Sequence, residues 1–366
     1  MKNTFGTSVS LTLFGESHGE YIGAVLDGLA PGIDVDEEYI SSRLRLRRPS
    51  GDISTSRREE DKFSIVSGVF GGKTTGAPLC ILIPNENVRP SDYDGLKFIP
   101  RPSHADFSAH EKYHGFEDGR GGGHFSGRLT APLVAAGAIV QSALKKNGIF
   151  IGTHIKRLAG IDDREFSDVL SDVRSLEYTS FAALDDAAAK KMISEIKKAK
   201  EDGDSVGGVL ECAAVGVPSG VGEPWFGGVE SALSQALFAI PGVKGVEFGA
   251  GFCMSDMRGS AANDAFFTDG EKIYTKTNNN GGVLGGITTG MPIIFSCAVK
   301  PTPSIFKEQQ TVDFAQNINV GLSLTGRHDP CIVHRARAVQ DALTSLVLCD
   351  LLLCRFGTGF FTGEKK

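Results

Sequence analysis

Residues 71–78 read GGKTTGAP, and residues 285–292 read GGITTGMP. Six of the eight positions are identical, and each copy runs into an apolar stretch, LCILI in the first and IIFSCAV in the second. Glycine and proline punctuate turns, and a short apolar run after such a turn predicts a buried strand. Upstream of each copy lies a second echo, GLAPGI at 28–33 and GVPSGV at 216–221. Each of these leads into a helical pattern, DEEYISSRLRL in one case and VESALSQALFA in the other. Helices near 129–146 and 336–355 then follow their turns at similar distance. Echoes that recur in one order mark an internal duplication. The expected halves are roughly 6–150 and 206–356, related by a pseudo-two-fold axis. Between them, 151–205 carries a charged helix ended by Gly203. The strand–helix mixture predicts one layered α+β domain over 1–366.

Composition narrows the function. The 366 residues carry a net charge of −6, which disfavours nucleic acid and anionic membranes as partners. Seven scattered cysteines form no CxxC pair, and MKNTFGTSVS lacks the apolar core of a secretory signal. Reduced thiols in a cytoplasmic protein follow from this. ALTSLVLCDLLLC is too short to span a membrane and is interrupted by Asp350, so it predicts a buried helix.

Candidate chemistry gathers in a few stretches. Residues 101–128, RPSHADFSAHEKYHGFEDGRGGGHFSGR, hold four of the eight histidines, three arginines and a glycine run. Histidine moves protons near neutral pH, arginine grips phosphate and carboxylate, and glycine admits a ligand close to backbone. GESHG at 15–19 sets Ser17 beside His18, which on an extended chain would point to opposite faces. The stretch 43–58, RLRLRRPSGDISTSRR, sets six arginines against one aspartate and favours a small anion. KPTPSI at 300–305 is either a phosphate-holding loop or a plain surface loop, and GRHDPC at 326–331 precedes a helix. Asp329 there either serves chemistry or forms an ion pair that caps the helix. His110-Glu111-Lys112-Tyr113-His114 fits the bare HExxH pattern, so a zinc hydrolase is a competing expectation. An anion-binding protein without turnover is a third.

Together GESHG, SGVFGGKTTG, RPSHAD, GVPSGVGEP, VKGVEFG, MRGS, GGVLGGITTGMPI, KPTPSI and GRHDPC resemble, in order, the segments of the chorismate synthase family. The resemblance implies a layered β-α-α-β sandwich with an internal repeat, usually a homotetramer. It implies reduced FMN as cofactor and 5-enolpyruvylshikimate-3-phosphate as substrate. It makes His18 the acid at the leaving phosphate, His104 the histidine that protonates reduced flavin, and Asp329 a carboxylate near the flavin. Ser17 and Ser126 become proton relays. Arg47, Arg48, Arg101 and Arg128 resemble the substrate's anion ligands. His124, Phe125, Ser126, Pro241, Gly242, Gly285, Lys300, Pro301, Thr302, Pro303, Ser304 and Arg327 fall where the family contacts FMN. No metal is implied. Two departures stand out: the family's GGGRSSAR is GGGHFSGR here, and Pro303 replaces a serine. The arginine linked to NADP use has no clear match, since DISTS fills that span. Reduction of its own flavin and supply from an outside reductase are both compatible with this.

Overall fold

The computed structural model describes residues 2–55, 59–86, 97–326 and 328–363. In the first half, strands β1 (Thr4–Phe5), β2 (Ser10–Gly15) and β3 (Tyr21–Asp27) lead to helix α1 (Glu37–Arg47). Strands β4 (Ser64–Ser67) and β5 (Leu79–Pro84) follow, then α2 (Asp106–Tyr113) and α3 (Thr130–Lys146). Next come β6 (Phe150–Leu158), β7 (Ile161–Asp162), α4 (Val169–Ser175) and α5 (Asp186–Glu201). The second half adds β8 (Gly208–Val215), α6 (Val229–Leu237), β9 (Val243–Phe248) and β10 (Ile293–Val299). A hairpin of β11 (Gln309–Asp313) and β12 (Ile318–Leu322) precedes the long helix α7 (Val333–Phe356).

Two five-stranded sheets form, in the orders β1-β2-β3-β5-β4 and β9-β10-β8-β6-β7, with every neighbouring pair antiparallel. The inner faces follow from period-two alternation. Ile22, Ala24 and Leu26 on β3 and Leu79, Ile81 and Ile83 on β5 are buried, as are Ile293, Phe295 and Cys297 on β10. Helices α1, α3, α6 and α7 pack on one another, with α3 on the first sheet and α7 on the second. The result is the layered β-α-α-β arrangement. At the crossing of α3 and α7, a β-carbon on Gly137 would lie 2.4 Å from that of Ala342, so glycine sets how closely the helices approach.

The duplication is visible atom by atom. Thr74 Oγ1 donates to Ala30 O at 2.7 Å and accepts from Ile33 N at 2.9 Å. Thr288 Oγ1 donates to Pro218 O at 2.7 Å and accepts from Val221 N at 2.9 Å. Gly28, Gly32 and Gly76 take positive φ of 81–85°, and their counterparts Gly216, Gly220 and Gly290 take 84–91°. Each half therefore runs β-β-α-β-β-α. One boundary differs from the sequence reading: β6 lies inside the stretch read as connecting, yet it pairs with β8 as β2 pairs with β3. Its sequence, FIGTHIKRL, shares no echo with SLTLFG, so only pairing reveals the equivalence. Residues 159–207 thus sit where the first half has its short GESHG turn.

The apolar run near the C-terminus is a buried helix, and its aspartate is satisfied. Asp350 accepts the backbone N–H groups of Thr7, Ser8 and Val9 at 2.9, 2.6 and 2.8 Å, tying the N-terminal segment to α7. No helix among the described residues is long and apolar enough to cross a membrane.

Candidate active site

The GESHG turn joins β2 to β3, and it is not extended. Ser17 and His18 are buried, and Ser17 Oγ lies 3.0 Å from His18 Nδ1 and 3.1 Å from Arg120 O. A carbonyl only accepts, so the Ser17 hydroxyl donates to Arg120 O and accepts the proton on His18 Nδ1. His18 Nδ1 is therefore the protonated ring nitrogen on the Ser17 side. The expectation of opposite faces is corrected here, because the turn folds the two side chains together.

His104 is fixed by the same logic. Its Nδ1 donates to Asp106 Oδ1 at 2.5 Å, and Asp106 also takes the Arg101 fork, Nε and Nη2 each at 2.8 Å. Burial by itself would raise the Asp106 pKa, but the hydrogen bonds from Arg101 and His104 hold it well below the usual carboxylate range. The RPSHAD segment is a turn, with Ser103 at φ +60°, leading into α2. Arg101 therefore orients the His104–Asp106 pair.

The triple glycine runs between these two histidines. A β-carbon on Gly121 would lie 2.2 Å from His18 Cε1, and one on Gly122 would lie 3.1 Å from His104 Cε1. Both glycines have positive φ, +61° and +88°. His124 donates from Nδ1 to Gly15 O at 2.9 Å, and Phe125 meets the Tyr113 ring edge-on at 6.1 Å. Ser126 Oγ accepts from Arg128 N at 3.3 Å, which makes it a cap for the turn that enters α3.

The arginines converge on a residue that no motif flagged. Asp61, buried and at φ +48°, bonds Arg128 Nη1 and lies 3.7 Å from Arg47 Nε and 3.4 Å from Arg48 Nε. Burial opposes ionisation, yet Arg47, Arg128 and Arg48 lower its pKa overall. Burial also pulls the Arg47 guanidinium down to about 10, still protonated at neutral pH, and its Nε has no hydrogen-bond partner. Arg128 Nε donates to Asn85 Oδ1 at 3.0 Å. Asn85 Nδ2 in turn donates to Glu16 O and Gly19 O at 3.0 and 2.8 Å, so the arginine cluster and the GESHG turn share a support. Arg43 instead pairs with Asp341 on α7 and serves packing. Arg57, Arg58 and Arg327 lie outside the described residues.

The second half closes the site from the other side. Lys300 Nζ donates to Ser103 O at 2.5 Å, and its backbone N–H donates to Gly242 O at 2.9 Å, beside Pro241. Thr302 Oγ1 is buried without a hydrogen-bond partner. Ser304, Ser54, Thr55, Lys200, His328 and Asp329 line one cleft. Asp329 pairs with Arg335 in the first turn of α7 at 2.6 Å and accepts from Thr55 N at 2.9 Å, so the ion pair forms, whereas the helix is capped at Ile332 with no side-chain hydrogen bond. Arg335 Nε also donates to Arg47 O at 2.8 Å, which links Asp329 to the arginine cluster. Pro301 and Pro303 stiffen the Lys300 loop. Gly285, at φ +61°, sits in the tight turn between Leu284 and Ile287, and its neighbour Gly286 packs near Glu223 and Gly228. The orphan Thr302 hydroxyl, the ammonium of Lys300 and the hydroxyls of the cleft suit a phosphorylated, hydroxyl-rich cofactor.

The zinc expectation is not met. Helix α2 ends at Tyr113, His114 turns into the left-handed region at φ +57°, and His110 Nδ1 is 3.1 Å from Glu117. Among the described residues no cluster of metal-binding side chains converges.

Comparison with known proteins gives one answer. A family model described as chorismate synthase matches residues 9–353. The chain is 47% identical over 350 residues to the chorismate synthase of Pyrococcus abyssi, covering 96% of this chain and 97% of that protein. It is 44% identical over 355 residues to that of Aeropyrum pernix, covering 97% and 93%. A crystal structure of chorismate synthase superposes with a TM-score of 0.75 at 30% identity, covering 96% of this chain and 94% of that one. The chain belongs to the chorismate synthase family.

Proposed function

We propose that the protein is a lyase that converts 5-enolpyruvylshikimate-3-phosphate to chorismate and phosphate, using reduced FMN. The C–O bond to phosphate breaks with its electron pair, a ring proton leaves, and a carbon–carbon double bond forms. The sum is a 1,4-elimination with no net redox change, a step of the shikimate pathway toward aromatic amino acids. Reduced FMN, when bound, lends electron density and recovers it.

The observation that carries this reading is the pair of histidines held either side of Gly121–Gly122 with both Nδ1 atoms committed. Each is held in a fixed orientation by its Nδ1 bond, and general acid help from such a histidine contributes about 10²–10⁴-fold. His18 serves the leaving phosphate, and Ser17 orients it. His104 serves the flavin side. Arg47, Arg48 and Arg128 hold the substrate's anionic groups, and the buried Arg47 Nε, without a hydrogen-bond partner, supports that role. Lys300, Thr302, Ser304 and Asp329 hold the cofactor.

The two halves act as one domain, since a single core cluster draws on both. We place the protein in the cytoplasm as a homotetramer. Exposed Trp225, Phe226 and Phe252, 86, 97 and 82% accessible, support assembly through apolar surface. NADPH is a candidate reductant. The test is anaerobic incubation of substrate with dithionite-reduced FMN, in which chorismate and phosphate appear together. Absence of both products sinks the proposal and leaves an anion-binding protein.

A further inference from the structure

We propose that His124 is a positioning residue for His18 rather than a ligand of the flavin. The inference rests on the reading of His18 as the acid. The segment 120–124 and the GESHG turn are laced by three hydrogen bonds. Ser17 N donates to Gly123 O at 3.1 Å, Ser17 Oγ donates to Arg120 O at 3.1 Å, and His124 Nδ1 donates to Gly15 O at 2.9 Å. The His124 bond comes from a side chain and lands on the residue where β2 ends.

Gly15 is a sensitive place to hold. Its φ is +97°, and a β-carbon there would lie 2.4 Å from Tyr21 O. The chain turns there into Glu16, Ser17 and His18. On one side Asn85 grips Glu16 O and Gly19 O. On the other, His124 grips Gly15 O. With both in place the turn is held at its start and its end, and His18 is kept against Gly121. Gly121, Gly122 and Gly123 all have positive φ, a backbone with no side chains to brace it. The imidazole at 124 supplies the missing brace. Because Gly15 O only accepts, the Nδ1 proton is spent inside the protein. An arginine at this position would carry five donors, whereas histidine presents one at Nδ1 and uses it on the turn.

Two substitutions separate the hydrogen bond from the ring. His124→Phe keeps the ring and removes the donor. His124→Asn removes the ring and keeps a donor, since Asn Nδ2 sits at the same bond distance from Cβ as His Nδ1. The readouts are kcat and KM for 5-enolpyruvylshikimate-3-phosphate with reduced FMN, and Kd for oxidised FMN by fluorescence quenching. For His124→Phe, kcat falls about tenfold or more while KM and flavin Kd stay within about twofold, because misplacement of an acid by ~1 Å costs up to about 10²-fold. For His124→Asn, kcat returns to within about threefold of the starting protein.

Weakened flavin binding in both variants would make residue 124 a flavin contact and overturn the inference. Native kcat in His124→Phe, or equal loss in both variants with flavin binding intact, overturns it as well. If His124→Phe does not fold, His124→Asn decides alone, with low kcat as the contrary result. His18→Ala run in parallel isolates the underlying reading. Turnover that survives His18→Ala removes His18 as the acid and the inference with it, whereas loss in His18→Ala beside a native His124→Phe removes only the inference.

Discussion

Gly121 stands so close to His18 that a β-carbon on it would lie 2.2 Å from the imidazole Cε1 and 2.5 Å from Nδ1. The glycine is required twice over, by that contact and by its φ of +61°. Gly121→Ala must therefore push His18 off Ser17. We expect kcat to fall by about 10²-fold. Gly122→Ala meets His104 at 3.1 Å, a looser contact, and should cost less. Steady-state kinetics of both variants, with thermal melts to confirm folding, test the order. A larger loss for Gly122→Ala would contradict it.

Asp106 is expected to act through His104. Asp106→Asn keeps the size but weakens the pair with Arg101 and frees the imidazole to rotate or change tautomer. Turnover at saturating reduced FMN should drop roughly 10- to 100-fold by misplacement, with KM for substrate little changed. A rise in KM at constant kcat would instead assign this carboxylate to substrate binding. The sign in acid is also set. Because the folded pKa of Asp106 is lowered, its contribution to stability is present above the ordinary value of 3.8 and is lost as pH falls through the folded value.

The duplicated turns should be equal in stability and silent in chemistry. Thr74→Val removes the partner of a buried N–H and a buried carbonyl, and Thr288→Val that of a buried N–H and a half-buried carbonyl. Each should cost about 1–3 kcal/mol. Denaturant unfolding checks the magnitude, and kcat of the folded fraction should stay native in both. A large loss in one copy and none in the other would mean that the two halves carry different loads.

How much of this was legible from residues alone depends on the kind of signal. The GG-TTG-P copies were visible because a threonine that must bond two backbone groups, between glycines at positive φ, tolerates few substitutes. Strand β6 was hidden because a strand needs only alternation, and FIGTHIKRL keeps that without resembling its counterpart. His18 and His104 were visible as motif residues, but their partners were not: whether Ser17 faces His18 depends on a turn that spacing does not reveal. Asp61 was missed because a carboxylate in EED after an arginine cluster looks like solvated charge. Its one sequence signal is proximity to six arginines, and only folding shows two of them, Arg47 and Arg48, around it together with the distant Arg128. The Lys300 loop and Ser103 lie far apart in sequence, and no local pattern predicts their contact.

One buried charge predicts a pH effect away from the site. His154 on β6 donates from Nδ1 to Asp163 at 2.9 Å and from Nε2 to Glu211 at 3.1 Å, so it is an imidazolium. Burial would lower its pKa, but the two carboxylates outweigh that and raise it above 6.5. A raised folded pKa gives stability that is full below 6.5 and lost as pH climbs through the folded value. The melting temperature should therefore fall as pH rises above 6.5 through the folded value. His154→Gln should lower it at pH 6 and flatten that dependence. An unchanged slope in His154→Gln would place the titrating group elsewhere.

The central claim is an elimination in which flavin is needed but not consumed. The most direct measurement is the number of chorismate molecules formed per reduced FMN, under strict anaerobiosis, with the flavin spectrum followed throughout. The account predicts many turnovers per flavin, phosphate equal to chorismate, and flavin still reduced when substrate runs out. No product, or product limited to one equivalent as the flavin oxidises, would contradict it.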